Sequence, residues 1–188
     1  MLDFGAGTGE FAIAAARTCN CVVAIDISPA MIALLRVKLA LSRIRNVDVV
    51  QAGFLSYEHI GEPAGFAYSK NVLHHLPDFW KAIALERIAA AMGAGGVLVL
   101  RDLVYSFAPQ ERVEVIESWL DSAASSAADG WTRPELEAHL REEFSTYSFL
   151  LEAMLGRAGF EVRAVEYSAS KVFARYTCVR NTITAPRS

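Results

Sequence analysis

Short apolar runs alternate with longer stretches of helical spacing along the first hundred residues. Met1-Leu2 leads through Asp3 and Phe4 into glycines at alternate positions, Gly5, Gly7 and Gly9, which reads as a strand, a tight turn and a helix start. Alanine-rich Glu10 to Arg17 predicts a helix packed closely on a sheet. Cys21 to Ile25 (CVVAI), ending at Asp26, has the pattern of a buried parallel strand. Ser28 then caps a helix with Pro29 in its first position, running to about Ser42. Val47 to Ala52 is the third strand, and a loop at Gly53-Phe54 with a polar segment follows it to Ile60. Phe66 to Ser69 is the fourth, ending near Asn71; Pro77 opens a helix through Met92 that Gly93, Gly95 and Gly96 stop; Val97 to Leu100 is the fifth.

From Tyr105 to about Tyr147 the alternation lapses into charge-rich helical segments, Gln110 to Ala124 and Pro134 to Glu143, joined by a small polar linker, Ser125 to Gly130. This predicts an insertion at the carboxyl edge of the sheet, where a cover over a ligand would stand. Tyr147 to Ala158 resumes as an amphipathic helix ended by Gly159, and two strands follow, Glu161 to Tyr167 and Val172 to Arg180. The four residues joining them, Ser168 to Lys171, are too few for a parallel crossover, so the pair must be antiparallel. The expected fold is α/β: a doubly wound, Rossmann-like sheet of seven strands, mostly parallel with an antiparallel final strand. One domain over residues 1–180 is expected, with the insertion at about 105–147 and a flexible tail at 181–188.

Composition narrows the partners. The formal charge of -3, from 18 basic and 21 acidic residues, provides no field for a polyanion, so nucleic acid is not expected as a partner. No apolar run approaches the roughly 20 residues needed to span a bilayer and no signal-type h-region opens the chain, so no membrane partner and a cytoplasmic location are expected. Cys19, Cys21 and Cys178 form neither paired bridges nor a four-ligand zinc set and read as free thiols.

The glycine turn delivers a ligand to a helix N-terminus, and its spacing limits which one. A dinucleotide fingerprint needs G-x-G-x-x-G, whereas here the third glycine comes one residue early and Glu10 stands where it would be, beside a pyrophosphate it would repel. That weighs against a nicotinamide-dependent oxidoreductase, and the lysine of a P-loop is missing as well. LDFGAGTG at 2–9, VVAIDIS at 22–28, NVLHHLPD at 71–78 and GAGGVLVLRD at 93–102 resemble, in order and spacing, the motifs of the class I S-adenosylmethionine-dependent methyltransferases. The antiparallel final pair is a hallmark of that family too.

The resemblance implies S-adenosylmethionine as cofactor and assigns its bed. Gly5, Gly7 and Gly9 would lie under the methionyl part, with Asp3 turned towards its ammonium group. Asp26 would accept hydrogen bonds from the ribose hydroxyls, and Ile27 would pack on the adenine. The backbone near Lys70 and Asn71 would receive the cofactor's amino group. Many members carry an acid after the third strand to bind the adenine amino group; here Gly53 takes that place, with Phe54 expected to stack on or line the adenine pocket and adenine discrimination to be weaker. The implied activity is methyl transfer to a small-molecule substrate, and a non-catalytic cofactor-binding or regulatory protein of the same fold is the alternative.

Two features bear on the acceptor. His74 and His75 follow the fourth strand at the ligand edge, and His75 is the candidate general base. Adjacent histidines lack the i, i+4 spacing that sets two ligands on one helical face, so no metal is expected. Tyr105 and Tyr147 are the candidate substrate contacts, among the aromatics Phe107, Trp131, Phe144 and Phe149 near the insertion. The first strand begins at the first residue, so the helices that usually precede the motif and close over the cofactor are lacking. The expectation is an upstream start, an open site, or a second copy of the chain covering that side as a homo-oligomer.

Overall fold

The computed structural model describes residues 1–125 and 131–181; the expected linker at 126–130 and tail beyond Asn181 lie outside the described residues. The strands are β1 (Leu2–Phe4), β2 (Val22–Asp26), β3 (Val47–Gln51), β4 (Ala64–Lys70), β5 (Met92–Tyr105), β6 (Thr146–Tyr147), β7 (Phe160–Tyr167) and β8 (Phe173–Arg180). The helices are α1 (Glu10–Ala15), α2 (Pro29–Ser42), α3 (Asp78–Ala90), α4 (Arg112–Ser125), α5 (Arg133–Glu142) and α6 (Ser148–Arg157). The sheet order is β3-β2-β1-β4-β5-β8-β7, with β6 paired to the end of β5. All pairs are parallel except β5–β8 and β7–β8. The connection between β7 and β8, residues 168–172, is too short for a parallel crossover, and the two strands are antiparallel as expected. Strand order reverses between β1 and β4, and the carboxyl ends of those two strands form the crevice where ligands of such sheets bind.

Side-chain alternation along β1 explains how the sheet is buried on both faces. Leu2 and Phe4 point into the larger core with Ile25, Leu85, Ile88, Leu98, Leu100, Leu155 and Tyr176, covered by α3 and α6. On the opposite face Ala12, Val22, Ala24, Leu35 and Leu39 form a smaller core under α1 and α2, where alanines bring helix backbone close to the sheet. The α2 start follows from its cap: Ser28 Oγ accepts from Met31 N, with Pro29 in the first turn.

The fifth strand is longer than its apolar run. It starts at Met92 and takes in the glycines expected to separate it from α3, and it continues to Tyr105 rather than Leu100. Its pairing with β4 jumps from Ala64↔Met92 to Phe66↔Val97, a bulge in which Gly95 has a φ of 77°. A Cβ on Gly96 would stand 2.9 Å from the Gly93 carbonyl oxygen and 3.1 Å from that of Ala64, so the strand depends on a residue that usually weakens one.

The insertion packs as α4 and α5 against the far end of the sheet. Trp119, Leu120 and Leu136 form a third cluster with Leu103 and Val172. The chain then returns through β6, whose register sets Thr146 beside Val104 and Tyr147 beside Tyr105. No helix among the described residues is long and apolar enough to cross a membrane.

Candidate cofactor site and its neighbours

The turn after β1 is built by backbone that only glycine holds easily: φ is 74° at Gly5, 53° at Gly7 and 82° at Gly9. The three do different work. A Cβ on Gly5 would fall 2.1 Å from Val72 Cγ2 and one on Gly9 2.0 Å from Leu35 Cδ1, so both let neighbouring elements close in. A Cβ on Gly7 would meet no atom within 4 Å. Gly7 therefore faces open space at the start of α1, which is where a ligand would lie.

Asp26, at the end of β2, holds this turn to the next. Its Oδ2 accepts from Gly7 N (2.7 Å) and its Oδ1 from Ser28 N (2.8 Å). Each oxygen keeps a lone pair for a hydroxyl donor. Ile27 beside it is 73% exposed, and its Cδ1 is 3.6 Å from the Cβ position of Gly53. A large bare aliphatic chain next to a glycine makes a flat apolar ledge. Lys70 ends β4 beside this crevice, and Asn71, with φ 56°, donates its N–H to the Arg101 carbonyl. Phe54 does not join them. It is buried, stacked on Phe4 at a centroid separation of 5.4 Å, and lies in the larger core.

Beneath the turn lies an unusual carboxyl. Asp3 is 2% exposed, and its Oδ2 has no hydrogen-bond partner among the described residues. Burial pushes its pKa up to about 7; a backbone hydrogen bond from Ala12 opposes that shift and the charge of Asp26 adds to it. Buried charges are ordinarily paired, and no ion pair among the described residues involves Asp3.

Further along the same edge, a one-turn 3₁₀ helix, Leu73–His75, carries the histidine pair. The two residues point into different surroundings. His74 is buried, and its Nδ1–H donates to Asp102 Oδ1; Asp102, also buried, accepts from Leu73 N (2.7 Å) and Val72 N as well. His75 has a half-exposed side chain, and its Nδ1–H donates to Glu143 Oε2 at 2.6 Å. His139, on α5, sets its ring edge-on to His74 at 5.1 Å, and its Nε2 is buried without a partner among the described residues. Burial, then the neighbouring His74, lowers the His139 pKa. The backbone seals the contact: Phe144 N donates to the His74 carbonyl, and buried Lys81 donates from Nζ to the Phe144 carbonyl and to Asp78 Oδ1.

Tyr105 and Tyr147, paired through β5 and β6, meet edge to face at 5.6 Å, with Phe107 at 5.3 Å from Tyr105 and Phe149 stacked on Tyr147 at 5.4 Å. The structure thus brings both substrate candidates together. Trp131 and Phe144 are both largely exposed.

With this geometry in view, comparison with known proteins is decisive. A family model described as a methyltransferase domain matches residues 1–96. The chain belongs to the methyltransferase domain family. An uncharacterized methyltransferase of Exiguobacterium sibiricum is 26% identical over 168 residues, 89% of this chain and 71% of that one. A carboxy-S-adenosyl-L-methionine synthase of Psychrobacter arcticus is 30% identical over 116 residues, 61% of this chain and 42% of its own length. The fold matches that of a magnesium protoporphyrin IX methyltransferase from Synechocystis solved with bound S-adenosylhomocysteine, with a TM-score of 0.67, 16% identity, and 96% and 73% of the two chains covered.

The methyltransferase is S-adenosylmethionine-dependent, and the residues present fit that cofactor. The open cradle at Gly7, the unpartnered carboxylate oxygen of Asp3, the Asp26 lone pairs and the Ile27 ledge supply room, a counter-charge, hydroxyl acceptors and an apolar face.

Proposed function

We propose that this methyltransferase acts on a small-molecule acceptor held between the crevice and the α4–α5 insertion. The observation that carries this reading is the aromatic cluster of Tyr105, Phe107, Tyr147 and Phe149 at the end of β5. It is built partly by the insertion's return strand and stands on the same sheet edge as the glycine turn. Rigid aromatic walls with phenol groups suit an organic ligand of modest size. The net charge of -3 supplies no attraction for a nucleic-acid backbone.

Bound S-adenosylmethionine supplies a methyl group already activated by its sulfonium. What the chain adds is placement, which is worth about 7–11 kcal/mol for well-oriented reactants. In this reading Asp3 faces the cofactor's ammonium group, Asp26 fixes the ribose, Ile27 and Gly53 bed the adenine, and Lys70 and Asn71 line its edge. Gly5 and Gly9 keep the turn tight so that Gly7 can approach. Where the acceptor must lose a proton, His75 is the candidate base: its side chain is half exposed, and Glu143 Oε2 holds its Nδ1–H. Such a base contributes roughly 10²–10⁴ in rate.

The test is transfer of a labelled methyl group from the cofactor to a panel of phenols, hydroxy acids and amines, with RNA and protein substrates alongside. Label in the organic fraction, reduced at least tenfold by Tyr147→Ala, is the expected result. Label only in macromolecules overturns the small-molecule assignment.

A further inference from the structure

The histidine pair and the insertion form a constellation that methyl transfer does not require. His74, His75 and Glu143 each offer one ligand atom, and the three atoms lie within 4.8 Å of one another. They come from distant parts of the chain, the 3₁₀ turn after β4 and the end of α5. We propose that they bind a divalent transition-metal cation of the zinc type, so that the sheet edge and the insertion share one ion.

Four observations support the assignment. Two imidazoles and a carboxylate are the donor set that borderline cations such as Zn²⁺ and Co²⁺ take with an open position left over. Asp102 holds the Nδ1–H of His74, which leaves Nε2 as that ring's lone-pair nitrogen; a carboxylate behind a ligating imidazole is the usual second support of such sites. His75 Nδ1 and Glu143 Oε2 already face each other at 2.6 Å across a single proton, and a cation takes the place of that proton. Ligands about 2.0–2.2 Å from a tetrahedral zinc stand roughly 3.4 Å apart, so the pair must open by less than about 1 Å and the third ligand close by at most about 1.4 Å from the 4.8 Å bound. Finally, His139 leaves its Nε2 buried and unpartnered beside the His74 ring, a nitrogen whose missing partner a cation or its bound water would supply.

Adjacent histidines alone do not make a metal site, but here the fold adds a carboxylate from the insertion to them. His139 and Glu143 are four residues apart, and His139 and Glu143 are also joined by the Glu143 N–H donating to the His139 carbonyl; the second half of the set sits in the insertion. A cation there would engage His75 and Glu143, so metal binding and proton acceptance by His75 would exclude each other.

The chain, treated with a chelator and free of cofactor, is titrated with Zn²⁺ by calorimetry and with Co²⁺ by visible absorption. One equivalent should bind, and His75→Ala and Glu143→Gln, both at solvent-accessible positions, should each weaken binding at least tenfold with an unchanged circular dichroism spectrum. Cys21→Ser should leave the affinity unchanged; Cys21 is an exposed thiol near Asp48 and so a competing place for the cation. No binding by the parent chain, unaltered binding by the two site variants, or loss of binding in Cys21→Ser overturns the proposal. Because no cofactor or acceptor enters the titration, its outcome is independent of the methyl-acceptor assignment.

Discussion

Asp3→Asn should raise the stability of the cofactor-free protein while lowering its affinity for S-adenosylmethionine. The Asp3 carboxyl has its pKa pushed from 3.8 to about 7 by burial. A raised carboxyl pKa means that the folded state holds the proton more tightly than the unfolded one. Any contribution is therefore neutral below pH 4, and ionisation costs stability progressively as pH rises from about 4 to 7. A shift of about three units corresponds to an upper value of about 4 kcal/mol above pH 7. Asparagine keeps the shape and the oxygen that accepts from Ala12 but carries no charge to desolvate. Urea unfolding of the two proteins from pH 4 to 8 should show a stability difference near zero at the acid end, growing to about 2–4 kcal/mol in favour of the variant and flat above pH 7.5. Calorimetry at pH 8 should show cofactor binding weakened roughly 10- to 100-fold, the worth of a charge-assisted contact. For the parent chain, affinity should rise with pH up to about 7, as the carboxyl gains the charge proposed to face the ammonium group. A pH-independent stability difference, or a variant less stable than its parent at pH 8, would refute the buried-charge reasoning.

The glycines of the turn should separate by role: Gly7→Ala costs about 1–2 kcal/mol for its left-handed backbone and weakens cofactor binding at least tenfold, whereas Gly5→Ala, with a Cβ 2.1 Å from Val72 Cγ2, should fail to fold or melt far lower. Thermal melts paired with calorimetry check both, and a Gly7→Ala protein that binds as its parent does would remove Gly7 from the site. Thiol titration should label exposed Cys21 in the native protein, while Cys178, buried and with its pKa pushed up to about 12, should react only in denaturant; native labelling of Cys178 would contradict its place in the core.

The turn after β1 and the end of β2 were legible because their parts are local. Gly5, Gly7 and Gly9 fall within one turn, and Asp26 ends the next apolar run, so strand, turn and helix start can be read from contiguous residues. Phe54 shows the limit of that reading. Its position after β3 suggests a ligand contact, but the direction of a side chain leaving a strand end depends on what packs behind it, and here Phe4 offers a stacking partner. The glycines at 93–96 mislead for a related reason: they break helices and weaken strands in isolation, yet β4 pairs with Met92 before them and with Val97 after them, so β5 continues through them as a bulge. Asp102 was visible only as the acid after an apolar strand. Nothing within the sequence marks it as the partner of His74, since 28 residues separate them, and 68 separate His75 from Glu143.

Those long-range contacts determine which part of the insertion matters. Arg133 binds Glu117, Asp121 and Glu137, a network that ties α4 to α5 at the surface, where solvent and salt leave ion pairs worth little. The insertion is fixed to the sheet elsewhere. Trp119, Leu120 and Leu136 bury apolar surface against Leu103 and Val172, and segment 143–147 docks through Glu143 to His75, Phe144 to His74 and Lys81, and Tyr147 to Tyr105. Burial holds the insertion in place, while this short return segment carries groups that face the crevice. Changes to the α4–α5 surface charges should therefore be absorbed, because they leave both anchors intact. A shift of the return segment by one residue would exchange the faces of Thr146 and Tyr147 in the parallel pairing with β5, removing Tyr147 from Tyr105 and Glu143 from His75 together.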